Sequence, residues 1–318
     1  MTQNRPAKTC PVIRLVECVP NFSEGRRPDV VAAIRAAIAT TPGTHVFDAT
    51  ADASHHRSVV TFVADPDRAV DAAFAGIAAA RAHIDLRTHA GVHPRIGAAD
   101  VVPFVPLPAH GTTMADCVRL AHALGTRVAR DLAIPVYYYD RAALRVDRTS
   151  LADLRRGGFE RLTTEIATDP TRAPDVGPTH VHPTGGAVAI GARRILVAFN
   201  VYLGPAANLP VAKAVARAVR ESSGGLPAVK ALGLVVDGQA QVSMNLVDLD
   251  RTSLADAFTG VESEAAARGV QVTWSELIGL LPERALADTS PERLRLRNFD
   301  DRRILERRLA DLAAARVA

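Results

Sequence analysis

Cysteine, aromatic residues and long apolar runs are all scarce in this chain. Its three cysteines, Cys10, Cys18 and Cys117, are far apart, odd in number and free of any Cys-x-x-Cys pairing. That excludes a disulfide framework and a zinc ribbon, and it points to free thiols in a reducing cytoplasm. Aromatics make up 4% of the residues, too few for a surface that stacks single-stranded bases. No stretch reaches the length of a membrane span. Met1 to Pro11 is polar and lacks an apolar signal core, so neither a membrane nor a secretion route is expected. Charge of one sign is also missing. Lys and Arg number 38 against 34 Asp and Glu, for a formal net charge of +4 with no long basic run. Such a small excess suits acidic small molecules and not nucleic acid. No G-x-G-x-x-G follows a strand, which removes the dinucleotide fingerprint.

What remains is 48% hydrophobic and 23% charged across 318 residues, enough for two medium-sized globular domains. Ile13–Val19 reads as a strand ending at Pro20, followed by a turn over Asn21–Gly25 and a helix over Pro28–Ile38. Strands at His45–Phe47 and Ser58–Val63, a helix over Pro66–Ile84 and a strand at Asp100–Val105 complete a β-α-β-β-α-β order. A helix over Ala115–Leu132, a strand at Pro135–Tyr139 and a helix over Leu151–Ile166 are added to it. In the second half, a strand over Arg194–Val201 and a helix over Leu209–Arg220 lead to paired strands at Val229–Val236 and Ala240–Val247. These are joined at Asp237-Gly238, and a helix over Ser253–Arg268 and a short strand over Val270–Trp274 repeat the order. The fold class expected is α+β: two βαββαβ-like (ferredoxin-like) subdomains, residues 1–190 and 191–318, with a ligand groove between them. The charged tail from Ser290 reads as helical, with Arg302–Arg308 a solvated face or a dimer contact.

Chemistry concentrates in Arg87-Thr-His-Ala-Gly-Val-His-Pro-Arg-Ile-Gly97. Gly91, Pro94 and Gly97 make this a shaped loop, the usual seat of functional groups. His89 and His93 have the four-residue spacing that binds zinc on a helix, but Gly91 interrupts that geometry and no acidic ligand lies between them, so no metal is expected. Proton transfer by His93 fits better, with Pro94 fixing the backbone and Arg95 able to hold a carboxylate nearby. Glu17, Asn21 and Ser23 cluster at a strand end, where they either meet a ligand or cap the following helix. His55-His56-Arg57 either binds an anion or is a solvated loop. Gly177–Gly186, with two histidines and two threonines, either holds a ligand between the halves or is a rigid linker.

Val16-Glu-Cys-Val-Pro-Asn-Phe-Ser-Glu-Gly25 closely resembles the opening signature of the glutamate formimidoyltransferases. The resemblance continues through Thr61–Val63, His89–Gly97, Asp100–Pro106, Pro135–Tyr137, Asp175–Pro178, Gly191–Arg193, Ala198–Asn200 and Gln241–Leu246, covering the chain to about Pro282. It implies transfer of a formimino group from N-formimino-L-glutamate to N5 of tetrahydrofolate in histidine degradation, by a homodimer, with folate as co-substrate and no metal. By the same resemblance, the catalytic histidine falls on His93, with Arg95 and His89 beside it. Folate would lie along Gly177, Pro178, Thr179, His182, Thr184, Gly185 and Gly186. Glu17, Asn21, Arg57 and Arg87 would hold substrate carboxylates or the donor. The family's pattern has Asp where Thr50 stands and Asn where His56 stands, which opens two alternatives: a paralogue acting on another amidine donor, and a folate-binding protein without catalysis.

Overall fold

The computed structural model describes residues 14–317; the polar segment Met1–Pro11, with Cys10, lies outside them. The chain enters its first sheet as β1 (Val16–Cys18), is interrupted at Val19-Pro20, and continues as β2 (Asn21–Phe22). These two pieces form one broken central strand. The helix α1 (Pro28–Ala39), the strands β3 (Thr44–Asp52) and β4 (Arg57–Ala64), the helix α2 (Pro66–His83) and β5 (Ala99–Pro106) follow. Across the sheet the order is β5, then β1 and β2, then β4, then β3, antiparallel throughout. The helix α3 (Met114–Leu132) leads to β6 (Val136–Asp140). Two short helices, α4 (Leu151–Leu154) and α5 (Gly158–Glu165), precede β7 (Val188–Ala192), which inserts in parallel between β5 and β6.

The second sheet repeats the plan. It contains β8 (Val197–Pro205), α6 (Leu209–Val219), β9 (Val229–Val236), β10 (Gln239–Leu246), α7 (Leu254–Ala266) and β11 (Trp274–Ile278). Its strand order, β11-β8-β10-β9, again places the first strand of the unit centrally. The chain is thus α+β, with two ferredoxin-like halves, as the element order predicts.

Burial defines which faces meet. Val16, Cys18, Val60, Phe62 and Phe104 pack with Ile34, Ile77 and Val128 of α1, α2 and α3. Strand alternation therefore turns Glu17, Arg57 and Thr61 to the opposite, helix-free face. In the second sheet Phe199, Val201, Val242 and Met244 pack under α6 and α7 with Val215 and Phe258, so Asn200, Tyr202 and Gln241 take the open face. The two open faces are joined at their edges. Ser54 Oγ donates to Asp237 Oδ1 at 2.7 Å, and Leu15, Val63 and Leu107 of the first half share a small core with Leu280, Leu305 and Leu309 of the second. Polar residues of both sheets, Glu17, Thr61, Asn200 and Gln241 among them, are buried on these faces.

Four expectations change. The helix expected over 151–166 is broken, because Gly157 adopts a left-handed conformation (φ +85°) and starts a new helix. β7 was not expected; it crosses residue 190, and the connector 193–196 joins the sheets. The last strand falls at Trp274–Ile278, not 270–274. In the tail, α8 (Leu305–Val317) does not lie on a solvated face throughout. Its Leu305 and Leu309 are buried on the first sheet, and Arg308 lies over the Phe47 ring.

Candidate active site

Three segments meet at one end of the first sheet: the turn before β4, the loop before β5 and the hairpin before β7. The turn 54–57 is anchored by Glu24. Glu24 accepts from the backbone N–H groups of Arg26 (2.8 Å) and Arg27 (3.0 Å), from Arg27 Nε (2.6 Å) and from His56 Nε2 (3.1 Å). Burial opposes ionisation of this carboxyl, but these donors outweigh it and hold Glu24 down at about 2. The loop 89–98 presses against the same turn. At Gly91 a Cβ would stand 2.6 Å from the His55 carbonyl oxygen, so no larger residue fits without moving the turn.

Within the loop, His89 is a structural strut. Its ring stacks on His56 (centroids 4.1 Å apart, 5° between planes). Its Nδ1 accepts from Arg95 Nε at 2.8 Å, which leaves Nε2 to donate to the His56 carbonyl at 3.0 Å. Arg95 in turn donates to the His89 carbonyl (3.0 Å) and to both oxygens of Glu160 (3.1 and 2.7 Å). Neither ring nitrogen of His89 is free, and the Arg95 guanidinium is already committed to a carboxylate of this chain. Among the described residues no group of three or more His, Cys, Asp and Glu is placed to hold a metal.

His93 differs. Its Nδ1 donates to the Pro94 carbonyl at 2.8 Å, so Nε2 carries the free lone pair. Nearby, the fully buried Asp100 carboxylate is bracketed by two guanidiniums: Arg57 NH1 at 2.6 Å and Arg155 NH2 at 2.5 Å. The other Asp100 oxygen accepts from the Ile96 backbone at 2.8 Å, and Arg57 Nε also donates to Asn21 Oδ1 at 3.1 Å. Two cations against one anion leave a positive surplus beside the imidazole. Burial first, then Arg57 and Arg155, hold the His93 pKa well below that of an ordinary histidine. His93 is therefore a neutral, proton-accepting imidazole at physiological pH. Burial also lowers Arg57 to about 10, against the pull of Asp100. Arg155 meets Asp100 through NH2, and its buried Nε has no hydrogen-bond partner.

Facing this cluster, Glu276 Oε1 on β11 gathers Asn200 Nδ2 (3.0 Å), Tyr202 OH (2.9 Å) and Gln241 Nε2 (3.5 Å). Three buried acceptors or donors along the open faces have no partner: Glu17 Oε2, Thr61 Oγ1 and Gln241 Oε1. Buried polar atoms are rarely left unpaired, so these three stand out.

The other expected site residues are placed as follows. Glu17 is buried on the open face, its carboxyl pushed up to about 7 by burial, against the Arg193 charge. Arg87 is exposed and forms a bidentate pair with Asp85 away from His93. Gly185 and Gly186 are buried against the loop before β5: Ala98 N donates to the Gly185 carbonyl, and Gly186 packs on Ile96 and Gly97. His182 receives Arg81 Nε at 3.1 Å and the Gly185 backbone at 3.0 Å, and Leu86 N donates to the Thr184 carbonyl. Gly177, Pro178 and Thr179 lie farther along, beside α3 and the start of β6, with Gly177 and Thr179 exposed. The sequence reading missed Arg155, Asp100 and the Glu276 cluster. Asn200, Tyr202 and Gln241 alternate with apolar residues, a pattern that also describes an ordinary solvated strand face.

The chain is thus a two-part α+β protein whose halves are both ferredoxin-like, with a buried imidazole–guanidinium–carboxylate group at one end of the first sheet. The comparison with known families makes it specific. Residues 15–193 match the N-terminal subdomain of the formiminotransferase domain and residues 198–302 match the formiminotransferase domain, so the chain belongs to the formiminotransferase family. Among its relatives is the glutamate formimidoyltransferase of Thermoplasma acidophilum, 47% identical over 94% of this chain and 98% of that protein. The Streptococcus pyogenes glutamate formimidoyltransferase is 40% identical over 93% and 99%. The pig formimidoyltransferase-cyclodeaminase is 41% identical over 87% of this chain but only 52% of that protein.

Proposed function

We propose that this protein transfers the formimino group of N-formimino-L-glutamate to N5 of tetrahydrofolate, as a step of histidine degradation, with His93 as the acid/base group. The family and the names of its near full-length relatives support the reaction. The observation that carries the role of His93 is its free Nε2 beside the Arg57–Asp100–Arg155 group, which with burial lowers its proton affinity. N5 must lose a proton as it bonds to the amidine carbon, and a neutral imidazole accepts it. The positive surplus of Arg57 and Arg155 over Asp100 suits a substrate carboxylate nearby. Glu17, its carboxyl pushed up to about 7, can donate as well as accept toward a polar ring, and Thr61 and Gln241 offer further unpaired groups. Gly185 and Gly186 shape the wall behind His93, and Gly177, Pro178, Thr179, His182 and Thr184 continue that wall as the folate segment. Arg87 would serve at the outer rim, exchanging Asp85 for a substrate carboxylate. The same reading includes a cytoplasmic homodimer; no helix among the described residues is long and apolar enough to cross a membrane.

The test is turnover with formiminoglutamate and tetrahydrofolate. His93→Asn is expected to lower kcat by about 10²–10⁴-fold. Wild-type rates in that variant would remove His93 from the mechanism. A second reading rests on Thr50, whose hydroxyl donates to Asp48 at 2.6 Å where the family's pattern places an acidic group. Another amidine donor, such as formiminoglycine, would then be preferred, and its kcat/KM would exceed that of formiminoglutamate.

A further inference from the structure

Beside His93 stands a second imidazole that the reaction as described does not use. His55 lies in the turn before β4 with its ring centroid 6.2 Å from that of His93 and the rings tilted by 55°. Asp52, the last residue of β3, holds it: Oδ1 accepts from the His55 backbone at 2.6 Å and lies 3.0 Å from His55 Nδ1. Burial works against the charge on Asp52, but the hydrogen bonds from His55 outweigh it, and its carboxyl stays below the ordinary value. The carboxylate thus orients the ring, with Nδ1–H toward Asp52 and Nε2 turned away from it, where the doubly protonated ring carries its second N–H, an orientation shared by acid/base imidazoles in unrelated enzymes. The turn itself is pinned by Glu24 below and by Ser54 to Asp237 across the cleft. The His55 side chain is only 12% exposed.

The two imidazoles have unlike surroundings. His93 faces a net positive group, Arg57 and Arg155 on Asp100, whereas His55 faces a carboxylate. Such pairing separates a base from an acid. We propose that His55, oriented by Asp52, is the general acid that completes the transfer begun by His93, a role that rests on the formimino-transfer reading above. In the balanced step, the N5 lone pair forms the bond to the amidine carbon and the N5 proton passes to His93 Nε2. The bond from that carbon to the glutamate nitrogen then breaks, its electron pair stays on nitrogen, and the Nε2 proton of the His55 imidazolium goes to it, leaving the neutral ring with Nδ1–H on Asp52. Glutamate leaves as the amine, the formimino group ends on N5, and exchange with water restores both rings. The pairing also accounts for Thr50: the strand carries its cleft-facing carboxylate two residues later, at Asp52, on the same face.

Steady-state kinetics as a function of pH tests this. The groups that set the profile are Asp52, Arg57 and the His56–Glu24 pair on the turn, His93 with Arg155 and Asp100 from the facing loop and helix, and Asp237 and the Tyr202–Glu276 pair from the second half. Wild type is expected to give a bell in kcat, its acid side from His93 and its alkaline side from His55. His55→Gln should lower kcat by about 10²-fold, leave KM within about threefold and abolish the alkaline fall while keeping the acid limb. Asp52→Asn should give a smaller loss of about tenfold in kcat, because the ring loses the carboxylate that orients it. A variant that keeps the alkaline limb, or more than half of kcat, overturns the proposal and leaves the formimino-transfer reading intact. An inactive wild type overturns both. His55→Asn guards against a folding artefact: if both variants lose their native circular dichroism, His55 is structural and the proposal falls.

Discussion

Glu17 sits on the central broken strand, 3% exposed, with Arg193 and Glu306 as its charged neighbours and one carboxyl oxygen unpaired. Unfolded, a glutamate loses its proton near 4.5; folded, Glu17 keeps it to about 7. Between those values the folded chain holds a proton that the unfolded chain has lost. Stability therefore falls as pH rises through that window and stays lower above it. Glu17→Gln removes the ionisation, so the variant should be more stable than wild type at pH 8 by about 1–3 kcal/mol, with the gap closing toward pH 5. Urea denaturation at the two pH values measures it; an unchanged gap would mean that the carboxyl is not buried in the neutral form. The same variant should bind substrate less well, the usual conflict between a ligand site and stability. His93 acts with the opposite sign: its folded proton affinity is depressed, so stability is lost as pH drops through about 6.5 and below. Much of this residue scale was legible in the sequence. His93 between Gly91 and Pro94 announced itself. Arg155 did not, because it lies some sixty residues from the loop, at the C-terminal end of α4, and only the break at Gly157 and the fold of α4 bring it to Asp100.

At the scale of elements, the site depends on two loops that touch backbone to backbone. Gly91 meets the His55 carbonyl, and Val92 N points to the Ser54 carbonyl at 3.5 Å. A methyl at Gly91 must push the turn that carries His55, His56 and Arg57, and so displace the groups around His93. Gly91→Ala should cost about 10²-fold in kcat/KM, as a misplacement of about 1 Å does. The loss of stability should be only about 1–2 kcal/mol, since the contact lies at the rim. Equal losses in activity and in melting temperature across a series of Gly91 variants would show instead that the loop is merely part of the core. Helices and antiparallel strands were readable because apolar spacing marks one face. β7 was hidden, since Val188-Ala-Ile-Gly-Ala192 is buried on both faces and carries no alternation. β11 was displaced for a related reason: its Glu276 and Ser275 are polar residues turned inward, to Asn200 and to the Leu294 carbonyl.

At the scale of the whole molecule, the two halves are tied together by α8. Leu305 and Leu309 fill the space between Leu15, Val63 and Leu107 of the first sheet and Leu280 of the second half. From its sequence alone this helix reads as a charged tail, because its apolar positions are few and the first-half partners that bury them lie about 200 to 290 residues away. Since the helix closes the edge of the cleft, it also fixes the distance between His93 on one sheet and the Glu276 cluster on the other. Leu309→Ala should lower stability by about 2–4 kcal/mol through the cavity it leaves. Leu309→Asp goes further, because a carboxylate cannot be buried there without a partner. Calorimetry is expected to show one cooperative transition for wild type and two for the Asp variant, one for each core, because each sheet has its own helices and its own apolar cluster. Each half would keep its fold, yet turnover would fall, because neither sheet alone carries both the imidazoles and the facing polar row. A single transition in the Asp variant, shifted but not split, would mean that the open faces themselves, and not α8, hold the halves together.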